Sequence, residues 1–168
     1  MHLKKRSTVH IKNRELLEGE WRVVQEENDL REGEFVLLPL AEWVSNFEGS
    51  VVSPNNVGAW ISVDFDVSDL KTVPDVLAIY FKEFTDGRGY SLARLIRDRL
   101  NFKGDLIAIG DILRDQLWDL ERCGFNAFVM RSDQDVNEAL NAFNEFDVTY
   151  QPVTSSLGSI NDSVKSGA

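Results

Sequence analysis

Short apolar runs that end at turn signals alternate along this chain with segments whose apolar residues recur at helical spacing. Short apolar runs are typical of buried strands, and a three-to-four-residue spacing is typical of helices with one buried face. On these patterns the sequence predicts strands over 21–24, 35–38, 57–65, 76–81, 106–109 and 125–130, and helices over 40–47, 90–100, 111–123 and 133–146. Gly124 is predicted to end the third of these helices, because glycine adopts the left-handed conformation cheaply.

Strands that are apolar on both faces and alternate with helices predict an α/β protein with a mostly parallel sheet of about five strands. Two architectures satisfy the pattern: a flavodoxin-like layer sandwich, or a partial β/α barrel-like array. A complete eightfold barrel requires about 200 residues or more, so a chain of 168 residues is too short to form one alone. Residues 1–20 are predicted to be a flexible N-terminal segment, 21–153 a single α/β domain, and 154–168 a disordered tail.

Composition narrows the possible functions. The net charge is −10, which argues against a general nucleic-acid binder. No apolar run is long enough to span a bilayer and no secretory signal is evident, so a cytoplasmic protein without a membrane partner is expected. Cys123 is the one cysteine, and the two histidines, His2 and His10, both fall in the predicted N-terminal segment. A disulfide framework or a metal site is therefore not expected.

Basic residues are concentrated in one stretch. Residues 82–131 contain nine basic and eight acidic residues, and seven of the nine are arginines. Because guanidinium groups bind oxyanions well, this stretch suggests a local anion site. The alternative is that the arginines form salt bridges along helix faces.

Ligands of parallel α/β proteins bind at the carboxyl ends of the strands, and the first such junction is rich in glycine. It holds Asp86, Gly87, Arg88, Gly89, Tyr90 and Ser91. The two glycines are expected to let the chain turn sharply and approach a ligand closely, while Arg88 and the start of the next helix attract an anion. The alternative is a tight turn in which Asp86 or Ser91 caps the helix, with Tyr90 packed on the loop.

The second and third junctions also carry charged residues. Asp111 is predicted to cap the helix that it begins, with Arg114 and Asp115 one turn further on. Gln116 lies beside the apolar stripe of that helix and needs a polar partner, either a neighbouring loop or a ligand. Arg131 directly follows the last predicted strand.

If these strands are neighbours, three arginines would converge on one site. Arg88, Arg114 and Arg131 would bind the anion, balanced by Asp86, Asp111 and Asp115. In an enzyme, those three aspartates would be the acid–base groups and the arginines would clamp the substrate.

The FTDGRGYSLARLIR and GDILRDQ blocks carry a resemblance. Over residues 76–152 the chain resembles the bacterial domain-of-unknown-function 934 family, whose members are often labelled as oxidoreductases of sulfite reduction. The resemblance implies an accessory role in assimilatory sulfite or sulfate reduction, with sulfite reductase as a partner. The arginine-lined strand ends would suit a small anionic ligand, either an oxyanion such as sulfite or sulfate or a phosphate-bearing ligand such as a nucleotide phosphosulfate. The resemblance names no cofactor, and the residues form no Fe–S, haem or dinucleotide-binding pattern. Three functions stay open: an accessory binding protein, an enzyme acting on a small anion, and a structural module that binds sulfite reductase.

Overall fold

The computed structural model of the chain describes residues 9–17, 21–24, 34–47, 56–131 and 133–149. The described residues form eight strands and four helices. The strands are β1 (Val9–Lys12), β2 (Glu15–Leu16), β3 (Trp21–Val23), β4 (Phe35–Pro39), β5 (Val57–Ser62), β6 (Val76–Phe81), β7 (Asp105–Gly110) and β8 (Ala127–Met130). The helices are α1 (Leu40–Phe47), α2 (Arg88–Arg99), α3 (Leu117–Cys123) and α4 (Val136–Thr149).

All eight strands belong to one mixed sheet, in the order β2-β1-β8-β7-β6-β5-β4-β3. Strands β3 to β8 are parallel, and each pairs with the next strand in the chain. Because right-handed crossovers between successive neighbours all turn the same way, the helices collect on one face and the sheet curls into a half-barrel. The barrel-like alternative is therefore confirmed, but the sheet has eight strands instead of the predicted five or so. The flavodoxin-like alternative is wrong, because it requires the strand order to reverse within the sheet.

The two faces of the sheet are covered differently. Alternate residues of each strand, such as Leu77, Ile79 and Phe81 of β6, face the helices and join the main core. The other set, including Ala78 and Ile109, forms a smaller apolar cluster on the concave face. Because successive side chains of a strand point to opposite faces, one set of residues packs against the helices and the other lines the inside of the half-barrel.

Most predicted elements are present with small shifts of their ends. Helix α1 has the predicted bounds, and Gly124 ends α3 with a φ of 117°. The helix predicted to begin at Asp111 is shorter, since a 3-10 turn over Arg114–Gln116 precedes α3. The last helix also begins later than predicted. Asp135 caps it by accepting the N–H of Glu138 at 3.0 Å.

The N-terminal segment requires a correction. Residues 9–12 and 15–16, predicted to be flexible, form a hairpin whose first strand pairs antiparallel with β8. Ile11 belongs to the main core, and His10 is 3% exposed instead of lying in a tail. The Nδ1 atom of His10 accepts the backbone N–H of Trp21 at 3.2 Å, so a residue of β1 binds the strand at the opposite edge of the sheet. The predicted tail at 154–168 lies outside the described residues.

Candidate functional site

Three loops meet at the carboxyl ends of β6, β7 and β8, and Asp111 connects them. Its Oδ1 accepts an N–H of the Arg131 guanidinium at 2.8 Å, and its Oδ2 accepts the backbone N–H of Phe84 at 3.1 Å. Asp111 thus bridges the loops after β6 and β8 from its position after β7. The prediction that Asp111 caps a helix is wrong, because its carboxylate is used between loops. We call the group Asp86, Arg88, Asp111, Arg131 and Asp133 the strand-end mouth.

Arg131 is held by two carboxylates. Its Nε and one terminal nitrogen bond the two oxygens of Asp133 at 3.0 and 2.6 Å, and the other terminal nitrogen bonds Asp111. Asp133 and then Asp111 raise the pKa of Arg131, and Arg131 in turn lowers the pKa of Asp133. The Arg131 side chain is nevertheless 45% exposed. Arg131 is therefore a fixed cation that is open to solvent.

A second ion pair lies on the loop after β6. Arg88 bonds both oxygens of Asp86, at 3.0 and 2.7 Å, and its backbone N–H also bonds Asp86. These hydrogen bonds lower the pKa of Asp86. Asp86 thus accepts the first N–H of α2 from the residue before Gly87, which is the N-cap of the helix.

Asp64, at the end of β5, lies near the same loop. The Ser62 hydroxyl donates to its carboxylate and is the main cause of its lowered pKa, with a smaller contribution from Arg88.

Gly87 and Gly89 do not form the sharp turn that the sequence predicts. Gly87 has a φ of −71°, and the described glycines with positive φ are Gly110 and Gly124. Gly89 is buried in the first turn of α2, where an added Cβ would collide with the ring of Phe81. The expectation of a sharp turn at Gly87 and Gly89 is wrong. Gly89 is required for close packing of the helix on the strand.

Tyr90 and Gln116 bond each other, and Gln116 also bonds the loop after β6. The Tyr90 ring packs edge-on against Phe81 at 5.9 Å, and burial raises the pKa of its hydroxyl. Gln116 donates to the carbonyl of Phe84 at 2.6 Å and to the Tyr90 hydroxyl at 3.1 Å, and it accepts the N–H of Leu113. The alternative that Gln116 satisfies neighbouring loops therefore describes its contacts. Tyr90 likewise packs on the loop.

The remaining predicted residues make contacts of their own. Arg114 bonds Glu138 of α4 at 2.6 Å and lies 3.5 Å from Asp115, whose side chain is 83% exposed. Ser91 is exposed on α2. The structure therefore places Arg88, Arg114 and Arg131 at one edge of the sheet in three separate ion-pair groups, each with its own carboxylates.

Sequence reasoning missed two kinds of residue at this edge. Asp64 and Asp133 bind or flank the arginines, and the Arg131-x-Asp133 spacing was a local signal that could have indicated one of them. Tyr80 is 38% exposed on the concave face beside the mouth. Because β6 is apolar throughout, its sequence does not show which residues face the helices and which face the concave side. The exposure of Tyr80 is recognised only when the neighbouring strands are known.

Neither a metal-binding cluster nor a membrane-spanning helix is found in the described part of the chain. No group of three or more His, Cys, Asp or Glu side chains there is arranged to hold a metal ion. None of the helices in these ranges is both long and apolar enough to cross a membrane.

Comparison with known proteins gives one match. Residues 58–159 match the model of a family described as bacterial protein of unknown function (DUF934), which covers more than half of the chain. No curated protein and no solved structure matches.

Proposed function

We propose that this chain, which belongs to the DUF934 family of bacterial proteins of unknown function, is an accessory protein of assimilatory sulfite reduction. It acts by binding at the strand-end mouth, and its ligand is a small oxyanion or an anionic group of a larger molecule. The sequence resemblance supports the pathway, and the geometry of the mouth supports the mode of action.

The arrangement of Arg131 carries the proposal. Three of its N–H groups bond carboxylates, which fix the plane of the guanidinium. The guanidinium has further N–H groups, and the side chain is 45% exposed, so a ligand can approach Arg131 from solvent. A cation that is already ordered loses little conformational entropy when it binds an anion. The mouth therefore offers a preorganised donor to an oxyanion.

Asp86 and Asp133 are better suited to positioning arginines than to proton transfer. Arginine hydrogen bonds lower the pKa of Asp86 and of Asp133, so both stay ionised at neutral pH. An efficient general acid or base has a pKa near the working pH. This favours binding over the alternative of an acid–base enzyme acting on a small anion.

A second candidate function is docking of sulfite reductase itself, and the charge balance of the mouth favours it. Asp86, Asp111 and Asp133 outnumber Arg88 and Arg131, so a bare multivalent anion would meet repulsion. Alternating charges are instead typical of surfaces that recognise a protein with the complementary pattern.

Titration calorimetry with sulfite and with sulfate tests the first candidate, and co-purification with sulfite reductase tests the second. Arg131→Gln should weaken anion binding by about 10- to 150-fold, since a hydrogen bond to a charged group contributes about 1.5–3 kcal/mol. Arg94→Gln, an exposed position on α2, is the matched control and should bind normally. Reductase binding without anion binding would favour docking. If neither ligand binds, the proposal is wrong.

A further inference from the structure

Tyr80 is the exception in its strand. The other five residues of β6 are buried, whereas Tyr80 is 38% exposed. β6 lies between β5 and β7, and side chains of interior parallel strands are normally covered on both faces. The concave face of the half-barrel is therefore open to solvent at this point and presents an aromatic ring.

The neighbours of Tyr80 hold its ring in place. Trp60 of β5 packs edge-on against it, with ring centres 5.9 Å apart, and is itself bonded to the carbonyl of Val24. On the other side lies Gly110, where an added Cβ would be 3.0 Å from a ring carbon of Tyr80. Tyr80 is thus a supported ring with one side toward solvent, which is how proteins present aromatic side chains for stacking.

This ring lies beside the charged mouth. Tyr80 is paired in register with Ile109, two residues before Asp111, and Asp111 binds Arg131. Strands are about 4.8 Å apart and rise about 3.3 Å per residue, so the Cα atoms of Tyr80 and Arg131 are separated by about 10 Å across the sheet and about 7 Å along it. Two long side chains at that separation can approach opposite ends of one nucleotide-sized molecule.

The carboxylates explain why the ligand should be larger than a bare oxyanion. Asp64 and Asp111 lie at the ends of the strands that flank β6 and offer hydrogen-bond acceptors that a bare oxyanion has no donors to use. For a ligand with hydroxyl groups they become acceptors, as acidic residues do for ribose hydroxyls in other parallel α/β proteins. The ring of Tyr80, the two carboxylates and the Arg131 guanidinium would therefore suit a ligand that has an aromatic ring, hydroxyl groups and an anionic group.

We propose that the strand-end mouth binds a nucleotide-like ligand, in which a heteroaromatic ring stacks on Tyr80 and an anionic group bonds Arg131. The inference rests on the proposed function and narrows its ligand.

Titration calorimetry with AMP, adenosine and ribose 5-phosphate separates the parts of such a ligand. AMP should bind at least tenfold more tightly than ribose 5-phosphate, which lacks the ring, and than adenosine, which lacks the anion. Tyr80→Leu should weaken AMP binding by about tenfold or more, while Tyr80→Phe keeps the ring and should bind normally. Phe35→Leu is the matched control, because Phe35 is also exposed and packs edge-on against a tryptophan, but at the amino end of β4.

Three results would overturn the inference. The first is equal affinity for AMP and ribose 5-phosphate, and the second is an equal loss of AMP binding in Tyr80→Leu and Phe35→Leu. The third is that the protein binds sulfite but does not bind AMP, which would reject stacking on Tyr80 and leave the proposed function unaffected. If AMP, sulfite and the reductase all fail to bind, both proposals are wrong.

Discussion

Replacing Gly89, the second residue of α2, by alanine should destabilise the protein, because the core beneath it has no room for a Cβ atom. Gly89 is buried, and a Cβ there would collide with the ring of Phe81 and lie 3.0 Å from a methyl group of Val63. Phe81 is fully buried and packs against Tyr90 and Phe125, so its ring has no space to withdraw. Overpacking a core in this way costs about 1–3 kcal/mol.

Gly87, two residues earlier, is an internal control. Its φ of −71° and ψ of −10° suit any residue, and no heavy atom lies within 4 Å of the position that a Cβ would take. Alanine there restricts the unfolded chain and should stabilise the protein by about 0.4–1 kcal/mol. The two alanine variants should therefore differ by at least about 1.5 kcal/mol in the free energy of unfolding.

Urea denaturation followed by circular dichroism measures this difference. With a slope of about 1–3 kcal/mol per molar urea, a difference of 1.5 kcal/mol separates the two midpoints by about 0.5 M or more. Equal midpoints would refute the packing argument. If both variants were as stable as the parent protein and both lost ligand binding, the glycines would serve the ligand instead.

Three further changes test other parts of the structure. His10→Phe should lower the free energy of unfolding by about 1–3 kcal/mol, because it leaves a partly buried N–H of the far edge strand without its acceptor, and an unchanged urea midpoint would contradict this. Asp111→Ala should cost about 1 kcal/mol more than Asp115→Ala, since only the first carboxylate joins two loops; equal midpoints would argue against that role. The Asp86 carboxyl should titrate below the usual aspartate pKa, so its contribution to stability is present above its unfolded pKa and is lost as the pH falls through the folded pKa. Carboxyl-carbon NMR should show that pKa rising in Arg88→Gln, and a pKa that does not respond would contradict the pairing.

Local pattern was enough to predict the elements with a clear period. Helix α1 and strand β6 have the predicted bounds, because their burial follows directly from which positions are apolar. Strand β1 was missed because it has four residues and two of them, His10 and Lys12, are polar. Its stability comes from pairing with β8, which no local pattern can indicate.

Strand order and side-chain partners are set by tertiary structure. The choice between a sandwich and a half-barrel depends on which strands pair, and both arrangements have the same alternation of elements. In the site, Asp111 has the residue type and position of a helix cap, but its partners, Phe84 and Arg131, lie on two other loops. The resemblance found the blocks that contain these residues without indicating what each carboxylate binds.

The pairing of the first strand with the last has a consequence for synthesis on the ribosome. Val9 leaves the ribosome long before Met130, its partner in the sheet. At about 5–20 residues per second, the roughly 120 residues between them take on the order of ten seconds to translate. During that interval Ile11 has no β8 to pair with, while the parallel strands from β3 onward can add to one another in the order in which they emerge. The growing chain can therefore build its sheet from β3 toward β8, and β1 pairs with β8 last.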